Sequence, residues 1–173
     1  ADNKKLPPQC VYGGSEIKAI VLGDSHANSI ITAVKSALHD ASHGVVYWGH
    51  LACPFVAGVK DYAGCSAFNE WALNELDRVP KEVPLIVISR LSYYALGGNE
   101  GRASGGRSRP PIHFTREYDE ASPEFLEEFR SLSLQTYCRA AKTRDVYILM
   151  PIPEMGVNVP QVLARAKMIG QEG

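Results

Sequence analysis

Short apolar runs and helix-spaced apolar stripes alternate along the chain. The runs predict buried strands over residues 17–22, 44–48, 85–88 and 146–150. The stripes predict helices over residues 27–38, 66–79, 123–143 and 159–169. An alternation of strands and helices is typical of a parallel sheet covered by helices on both faces. The pattern therefore predicts an α/β fold.

Two stretches lack apolar periodicity. Residues 1–14, which contain Pro7-Pro8 and Gly13-Gly14, are expected to form an irregular lead-in. Residues 95–111 combine glycine, proline and arginine, and loops of this length in a compact domain are usually functional or disordered. We expect a mobile surface loop there, with a binding loop as the alternative.

Composition narrows the class of protein. The 173 residues fit a single domain, assigned to 1–173, and the apolar content of 45% is ordinary for a soluble globular fold. A formal net charge of −1 argues against a nucleic-acid partner, because proteins that bind nucleic acid usually carry a basic face. No apolar run approaches the roughly 20 residues that span a bilayer. The chain is expected to be soluble as given, although it could be one part of a larger protein.

The four cysteines bear on the compartment. No pair has the two-residue spacing of a metal knuckle and no histidines cluster near them, so neither a metal site nor a cofactor is expected. Cys53 and Cys65 bracket a loop, and a disulfide between them is favoured over two buried thiols. That bridge would indicate an oxidising compartment. A second bridge, between Cys10 and Cys138, is a weaker hypothesis.

The candidate chemistry lies at Gly23-Asp24-Ser25-His26, between the first strand and the first helix. A serine on such a turn is lifted off the edge of the sheet. Its backbone N–H lies in the first helical turn, where N–H groups lack internal partners and negative charge is favoured. These are the requirements of a serine nucleophile with its own oxyanion donor. The alternative is that Asp24 or Ser25 only caps the helix.

Other polar segments are expected at the same edge. In a parallel sheet, ligands bind outside the carboxyl ends of the strands. Gly49-His50, Ser89-Arg90 and residues 151–154 follow the next three predicted strands, so we expect them to converge on Ser25.

Four segments together carry a resemblance to a known family. They are residues 23–27, the Cys53-Pro54 pair with its second cysteine, residues 86–93 and residues 149–156. The first of them resembles the opening block of the SGNH hydrolases. The ordered set is similar to the periplasmic SGNH domain fused to integral-membrane acyltransferase-3 proteins.

The resemblance implies a three-layer flavodoxin-like fold with a central parallel sheet. It also implies Ser25 as the nucleophile, with oxyanion or substrate contacts from Gly23, Asp24, His26 and a second-block glycine that is either Gly49 or Gly58. Arg90 is a further candidate for a substrate contact on its own chemistry, with a packed structural arginine as the alternative. The implied activity moves an acyl group, commonly acetyl, from a donor passed on by a membrane acyltransferase domain to a hydroxyl of an envelope glycan. The implied location is the periplasm, as the soluble domain of an inner-membrane protein.

The chain departs from the family pattern in two places. Members carry the general base on a late Asp-x-x-His motif, and none follows the fourth predicted strand. We therefore expect that a C-terminal segment, with the last strand, helix and base, lies outside this chain, and that the 173 residues alone are inactive. His50 is the best internal substitute. The usual Gly-x-Asn-Asp block is replaced by Ser89-Arg90-Leu91.

Two other functions stay open at this point. One is a carbohydrate acetylesterase, which shares the acyl-enzyme but transfers the acyl group to water. The other is a non-catalytic module that presents a glycan to a membrane partner.

Overall fold

The computed structural model describes residues 9–60, 64–98, 109–151 and 159–170. These residues form five strands and five helices. The strands are β1 (Gln9–Gly13), β2 (Glu16–Gly23), β3 (His43–Gly49), β4 (Leu85–Ile88) and β5 (Val146–Leu149). The helices are α1 (Ser25–Ser36), α2 (Cys65–Leu76), α3 (Leu91–Leu96), α4 (Pro123–Ala141) and α5 (Val159–Met168).

One mixed sheet joins the five described strands in the order β1-β3-β2-β4-β5. Strands β3, β2, β4 and β5 pair in parallel, whereas β1 pairs antiparallel with β3. Strand β2 lies at the centre, and its side chains alternate between two cores. Ala19 and Val21 pack on the α1 side, while Ile20 and Leu22 pack against the larger core that includes buried residues of α2 and α4. The predicted α/β fold with helices on both faces is confirmed.

The prediction of an irregular segment over residues 1–14 was wrong in its second half, which contains a strand. Residues 9–13 form β1, which pairs along its whole length with β3, from Gln9 opposite Trp48 to Gly13 opposite Gly44. Only three consecutive apolar residues stand between the proline and glycine pairs, so the strand gives almost no local signal. Its backbone is stabilised by the pairing with β3.

Helix ends also differ from the predicted ends. Helix α1 ends at Ser36 and α2 at Leu76, although the apolar stripes continue to Leu38 and Val79. The N–H groups of Leu38 and Val79 each donate to the carbonyl three residues earlier, which is the bonding of a tightened last turn. These side chains pack on the core after the α-helix has ended.

The predicted mobile loop, residues 95–111, lies largely outside the described residues, which omit 99–108. Its described end is not a mobile surface. Pro110 is buried, and the following Ile112 and Phe114 belong to the larger core. Helix α3 (Leu91–Leu96) ends just inside the start of this region and was not predicted, since six residues are too few for a clear periodicity.

Of the two predicted disulfides, one is confirmed and the other is wrong. The disulfide between Cys53 and Cys65 is present, and both residues are fully buried. The hypothesis of a bridge between Cys10 and Cys138 is wrong, because both are free and exposed. Cys10 lies on β1 at one edge of the sheet. Cys138 lies on α4, which contacts β5 at the opposite edge.

Strand β5 is the edge strand opposite β1 in the described sheet. Its Tyr147, Ile148 and Leu149 are exposed, and α5 has no buried residue. The predicted further strand stays a prediction, and this edge is where it would pair. None of the described helices combines the length and apolar character needed to cross a bilayer.

The disulfide generates a stability prediction. Replacing Cys53 and Cys65 together by alanine should lower the free energy of unfolding by about 3 kcal/mol, because the bridge restricts the loop of the unfolded chain. Urea denaturation measures the change. The matched control, Cys10→Ala with Cys138→Ala, removes two exposed thiols and should change stability by less than about 0.5 kcal/mol. Equal losses in the two double variants would contradict a stabilising role for the bridge.

A second prediction concerns alkaline stability. Tyr137 of α4 is buried, its hydroxyl has no hydrogen-bond partner among the described residues, and burial raises its pKa to about 12. An unfolded tyrosine titrates near 10, so the folded state retains a proton that the unfolded state loses. The contribution of Tyr137 is therefore complete below about pH 10 and is lost as the pH rises toward about 12.

We expect Tyr137→Phe to leave stability at neutral pH unchanged or higher, since the variant removes an unpaired buried hydroxyl. The same variant should reduce the loss of stability between about pH 10 and 12 by on the order of 2 kcal/mol. Urea denaturation at a series of pH values tests this. The exposed Tyr147→Phe is the control and should keep the full alkaline loss.

Candidate active site

Ser25 is the first residue of α1 and follows the central strand β2 directly. The last residue of that strand, Gly23, pairs with Gly49 on one side and with Ile88 on the other. Ser25 therefore lies at the middle of the carboxyl edge of the sheet. Its side chain is exposed.

Gly23 must be a glycine because the backbone of β4 lies very close to it. A Cβ atom built on Gly23 would lie 1.7 Å from the carbonyl oxygen of Ile88, so no larger residue fits without moving β4. The backbone of β4 fills the space beside Gly23. The contact of Gly23 with a substrate stays a prediction.

Asp24 holds the turn together. It is 1% exposed, and it is the N-cap of α1, with one carboxylate oxygen accepting the N–H of His26 at 2.8 Å. The other oxygen accepts the N–H of Arg90 at 3.0 Å and the hydroxyl of Tyr94 at 2.9 Å. Both carboxylate oxygens are thus engaged inside the protein. Asp24 joins the start of α1 to the segment that follows β4.

The Asp24 contacts decide which residue caps the helix. Because Asp24 is the cap, the hydroxyl of Ser25 is not needed for that role, and it makes no hydrogen bond to any part of the chain that the structure describes. The N–H of Ser25 lies in the first helical turn, where no internal acceptor exists. A hydroxyl and an adjacent amide donor are therefore both available at this edge.

Gly49 lies next to Gly23 at the end of β3. A Cβ atom on Gly49 would lie 1.9 Å from the hydroxyl oxygen of Tyr47. That hydroxyl extends over Gly49 and donates to the main-chain carbonyl of Asp24 at 3.4 Å. Burial raises the pKa of Tyr47 to about 12, so the hydroxyl stays protonated at neutral pH. Gly49 gives Tyr47 room to support the turn from the β3 side.

His50 lies on the same edge but is directed away from Ser25. Its N–H donates to the carbonyl of Gly23 at 3.1 Å, and its Nδ1 lies 3.0 Å from the carbonyl oxygen of Leu51. The ring packs against Phe68, with 5.3 Å between ring centroids, and Nε2 lies beside Gly64. His50 makes no hydrogen bond to Ser25 in this structure.

Arg90 and His26 flank the turn. The guanidinium of Arg90 lies over the ring of Tyr93, 5.0 Å from its centroid, while its backbone N–H contacts Asp24. His26 is half-buried and lines a small cleft with Ser89 and Pro151. The rest of the predicted segment 151–154 lies outside the described residues.

One Asp-x-x-His sequence does occur in the chain, earlier than the family motif. It runs from Asp40 to His43, at the amino end of β3, where His43 pairs with Glu16. Gly23, at the opposite end of β2, is seven residues from Glu16, which is about 23 Å at 3.3 Å per residue, and Ser25 lies beyond it. Asp40 accepts from the N–H and hydroxyl of Ser42, and these bonds lower its pKa. This motif is therefore part of a turn and cannot act on Ser25.

Of two further residues near Ser25, Tyr94 was missed from the sequence, whereas Ser89 was expected at this edge without a role of its own. Tyr94 contacts Asp24 across 70 positions of sequence. Ser89 is buried, and its hydroxyl has no partner among the described residues. Tyr94 belongs to no recognisable motif, whereas the position of Ser89 directly after a predicted strand placed it at this edge.

The comparisons with known proteins give one match. A family model described as the SGNH domain (fused to AT3 domains) matches residues 1–172. Neither the curated proteins nor the solved structures contain a match to this chain.

The hydrogen bond from Tyr94 to Asp24 predicts how removal of the Tyr94 hydroxyl changes stability. Tyr94→Phe leaves one carboxylate oxygen of Asp24 with the Arg90 N–H alone, and it should lower the free energy of unfolding by about 1.5–3 kcal/mol, the usual range for a hydrogen bond to a charged group. Thermal or urea denaturation measures the loss.

The neighbouring residue supplies the control. Tyr93→Phe removes the hydroxyl of a half-buried tyrosine that contacts Arg90 through its ring, so it should change stability by less than about 0.5 kcal/mol. If the two variants were equally stable, the hydrogen bond to Asp24 would not be a determinant of this turn.

Proposed function

The chain belongs to the family of SGNH domains that are fused to AT3 domains, and on this premise we propose that it transfers an acetyl or other acyl group to a hydroxyl of a cell-envelope glycan through an ester on Ser25. Family membership makes the chain an SGNH hydrolase-like domain associated with a membrane acyltransferase domain. The glycan acceptor, the covalent intermediate and a periplasmic location are parts of the proposal.

The observation that supports a nucleophilic Ser25 is the capping of α1 by Asp24. A serine that only capped its helix would have its oxygen accepting a main-chain N–H. Here Asp24 makes that bond, so the Ser25 hydroxyl stands exposed at the middle of the sheet edge. The fixed turn also holds the Ser25 N–H in place, and preorganised donors of this kind stabilise an oxyanion strongly.

The proposed reaction has two steps. The Ser25 oxygen bonds to the carbonyl carbon of the acyl donor, its proton passes to a base, and the donor's leaving group departs with a proton. A glycan hydroxyl then attacks the Ser25 ester, gives its proton to the same base, and leaves as the acylated glycan while Ser25 regains its hydrogen. In each step the Ser25 N–H donates to the oxyanion.

The base is proposed to come from a part of the protein outside these 173 residues. All five histidines lie among the described residues, and none makes a hydrogen bond to Ser25. His50 is directed toward Gly64, and His43 lies at the far end of the sheet. The 173-residue chain alone is accordingly proposed to be nearly inactive.

Substitution of Ser25 tests the proposal in the complete protein. Ser25→Ala should lower the rate of acyl transfer to the glycan by at least about 10⁴-fold, as removal of a serine nucleophile does elsewhere. Mass spectrometry should find the acyl group on Ser25 in the unaltered protein. The control Ser36→Ala, at the exposed far end of the same helix, should transfer at the normal rate.

The products separate this proposal from its alternatives. Acylated glycan indicates transfer, whereas free acid as the main product in the presence of glycan would indicate an esterase. Normal glycan acylation by Ser25→Ala would contradict covalent catalysis and would favour a module that only presents the glycan.

A further inference from the structure

A small cleft opens between the first turns of α1 and the carboxyl ends of β4 and β5. Its volume is about 60 Å³. On this measure a cavity needs about 10–15 Å³ to hold one water molecule, so the cleft admits only a few non-hydrogen atoms. Its lining is mainly apolar with three polar side chains, and consists of His26, Ser29, Ile30, Ile88, Ser89, Leu149, Met150 and Pro151.

The first turns of α1 contribute His26, Ser29 and Ile30 to the cleft, and Ser25 itself is outside its lining. Residues four apart on a helix share a face, with roughly 5–6 Å between their Cβ atoms. Ser25 is therefore stacked one turn before Ser29, as His26 is before Ile30. Since Ser29 lines the cleft, a group bound to the Ser25 oxygen is within reach of its mouth.

Ser89 is the unsatisfied polar group in the described wall of this cleft. It is 3% exposed, and its hydroxyl lacks a hydrogen-bond partner among the described residues. The other serine of the wall, Ser29, already donates to the carbonyl of His26 at 2.7 Å. Buried hydroxyls without a partner are rare in folded proteins, because burial removes the bonds that water would make.

The backbone around Ser89 is firmly held. Ser89 follows Ile88, which pairs with Gly23, so the parallel register places it beside Asp24. Its carbonyl accepts the N–H of Leu91 at 2.9 Å, and the next N–H, that of Arg90, donates to Asp24. The hydroxyl is thus presented from a rigid turn that is directly linked to the turn of Ser25.

We propose that this cleft is the acyl subsite of the Ser25 ester, and that the Ser89 hydroxyl donates a hydrogen bond to the acyl carbonyl oxygen. The inference rests on the proposed function and extends it to the acyl group. The apolar walls receive the methyl end of the acyl chain, and their small volume restricts the ester to short chains. Ser89 adds a donor to the Ser25 N–H as charge develops on the carbonyl oxygen.

The test uses the complete protein with p-nitrophenyl acetate and p-nitrophenyl hexanoate as probes. Ser89→Ala should lower kcat/KM for the acetate by roughly 10²-fold, the effect of losing one oxyanion donor. Its melting temperature should be unchanged or higher, because the variant removes only an unpaired hydroxyl. Normal acetate hydrolysis by a folded Ser89→Ala would overturn the role of Ser89.

Chain length tests the subsite independently of Ser89. Met150 is 78% exposed and forms part of the wall, so Met150→Ala widens the cleft without opening the core. The ratio of hexanoate to acetate turnover should rise at least about tenfold. Leu134→Ala, an exposed apolar residue of α4, is the matched control and should leave the ratio unchanged. An unchanged ratio in Met150→Ala would overturn the assignment of the cleft.

Ser25→Ala in the same assay separates the two proposals. If Ser25→Ala hydrolyses the acetate normally, both the covalent mechanism and the acyl subsite are overturned. If Ser25→Ala is inactive while Ser89→Ala and Met150→Ala behave like the unaltered protein, the acyl subsite alone is overturned.

Discussion

The buried carboxylate of Asp24 is the constraint on which the candidate site depends. It caps α1 through the His26 N–H, and it also binds the Arg90 N–H and the Tyr94 hydroxyl on the far side of β4. A buried carboxylate requires such partners, because an uncompensated charge in the interior is very costly. The adjoining helix N-terminus stabilises the same charge. The hydrogen bonds that compensate the Asp24 charge thereby fix the turn before α1 relative to the turn after β4.

That arrangement explains how an exposed serine can be held rigidly. Loops and turns at a sheet edge are usually the more mobile parts of a fold. Here Gly23 allows β4 to approach closely, Tyr47 supports the turn from β3, and Asp24 joins the turn to the segment after β4. Ser25 takes no part in these contacts. The structural roles and the proposed chemical role are therefore carried by different residues of one short motif.

The opposite end of the sheet is held by a different buried charge. The Arg144 guanidinium, which precedes β5, donates to the carbonyls of residues around the end of α2 and the start of β4, namely Leu76, Val79, Pro80 and Val83. Arginine suits this task because its planar group presents several donors at once. Burial lowers the Arg144 pKa. Arg144 thus ties the amino end of β5 to the segment before β4, while Asp24 joins the carboxyl ends of β2 and β4.

Elements with strong local signals could be predicted from the sequence alone. The four apolar runs became β2 to β5, Ser122 and Pro123 start α4, and the two cysteines that bracket a loop form the disulfide. Periodicity and capping are local properties, so neighbouring residues suffice to reveal them. The position of Ser25 between a strand and a helix could be predicted for the same reason.

The residues that surround Ser25 could be identified only from the folded chain. Asp24, not Ser25, caps α1. The hydrogen bond from Tyr94 to Asp24 spans 70 positions of sequence, and β1 is stabilised by its pairing with β3. His50 has the right position in sequence, but the packing of its ring on Phe68 directs it elsewhere. The unpaired hydroxyl of Ser89 likewise has no sequence signature. Each of these features depends on contacts between distant segments, which form only when the sheet has set its register and the helices have packed upon it.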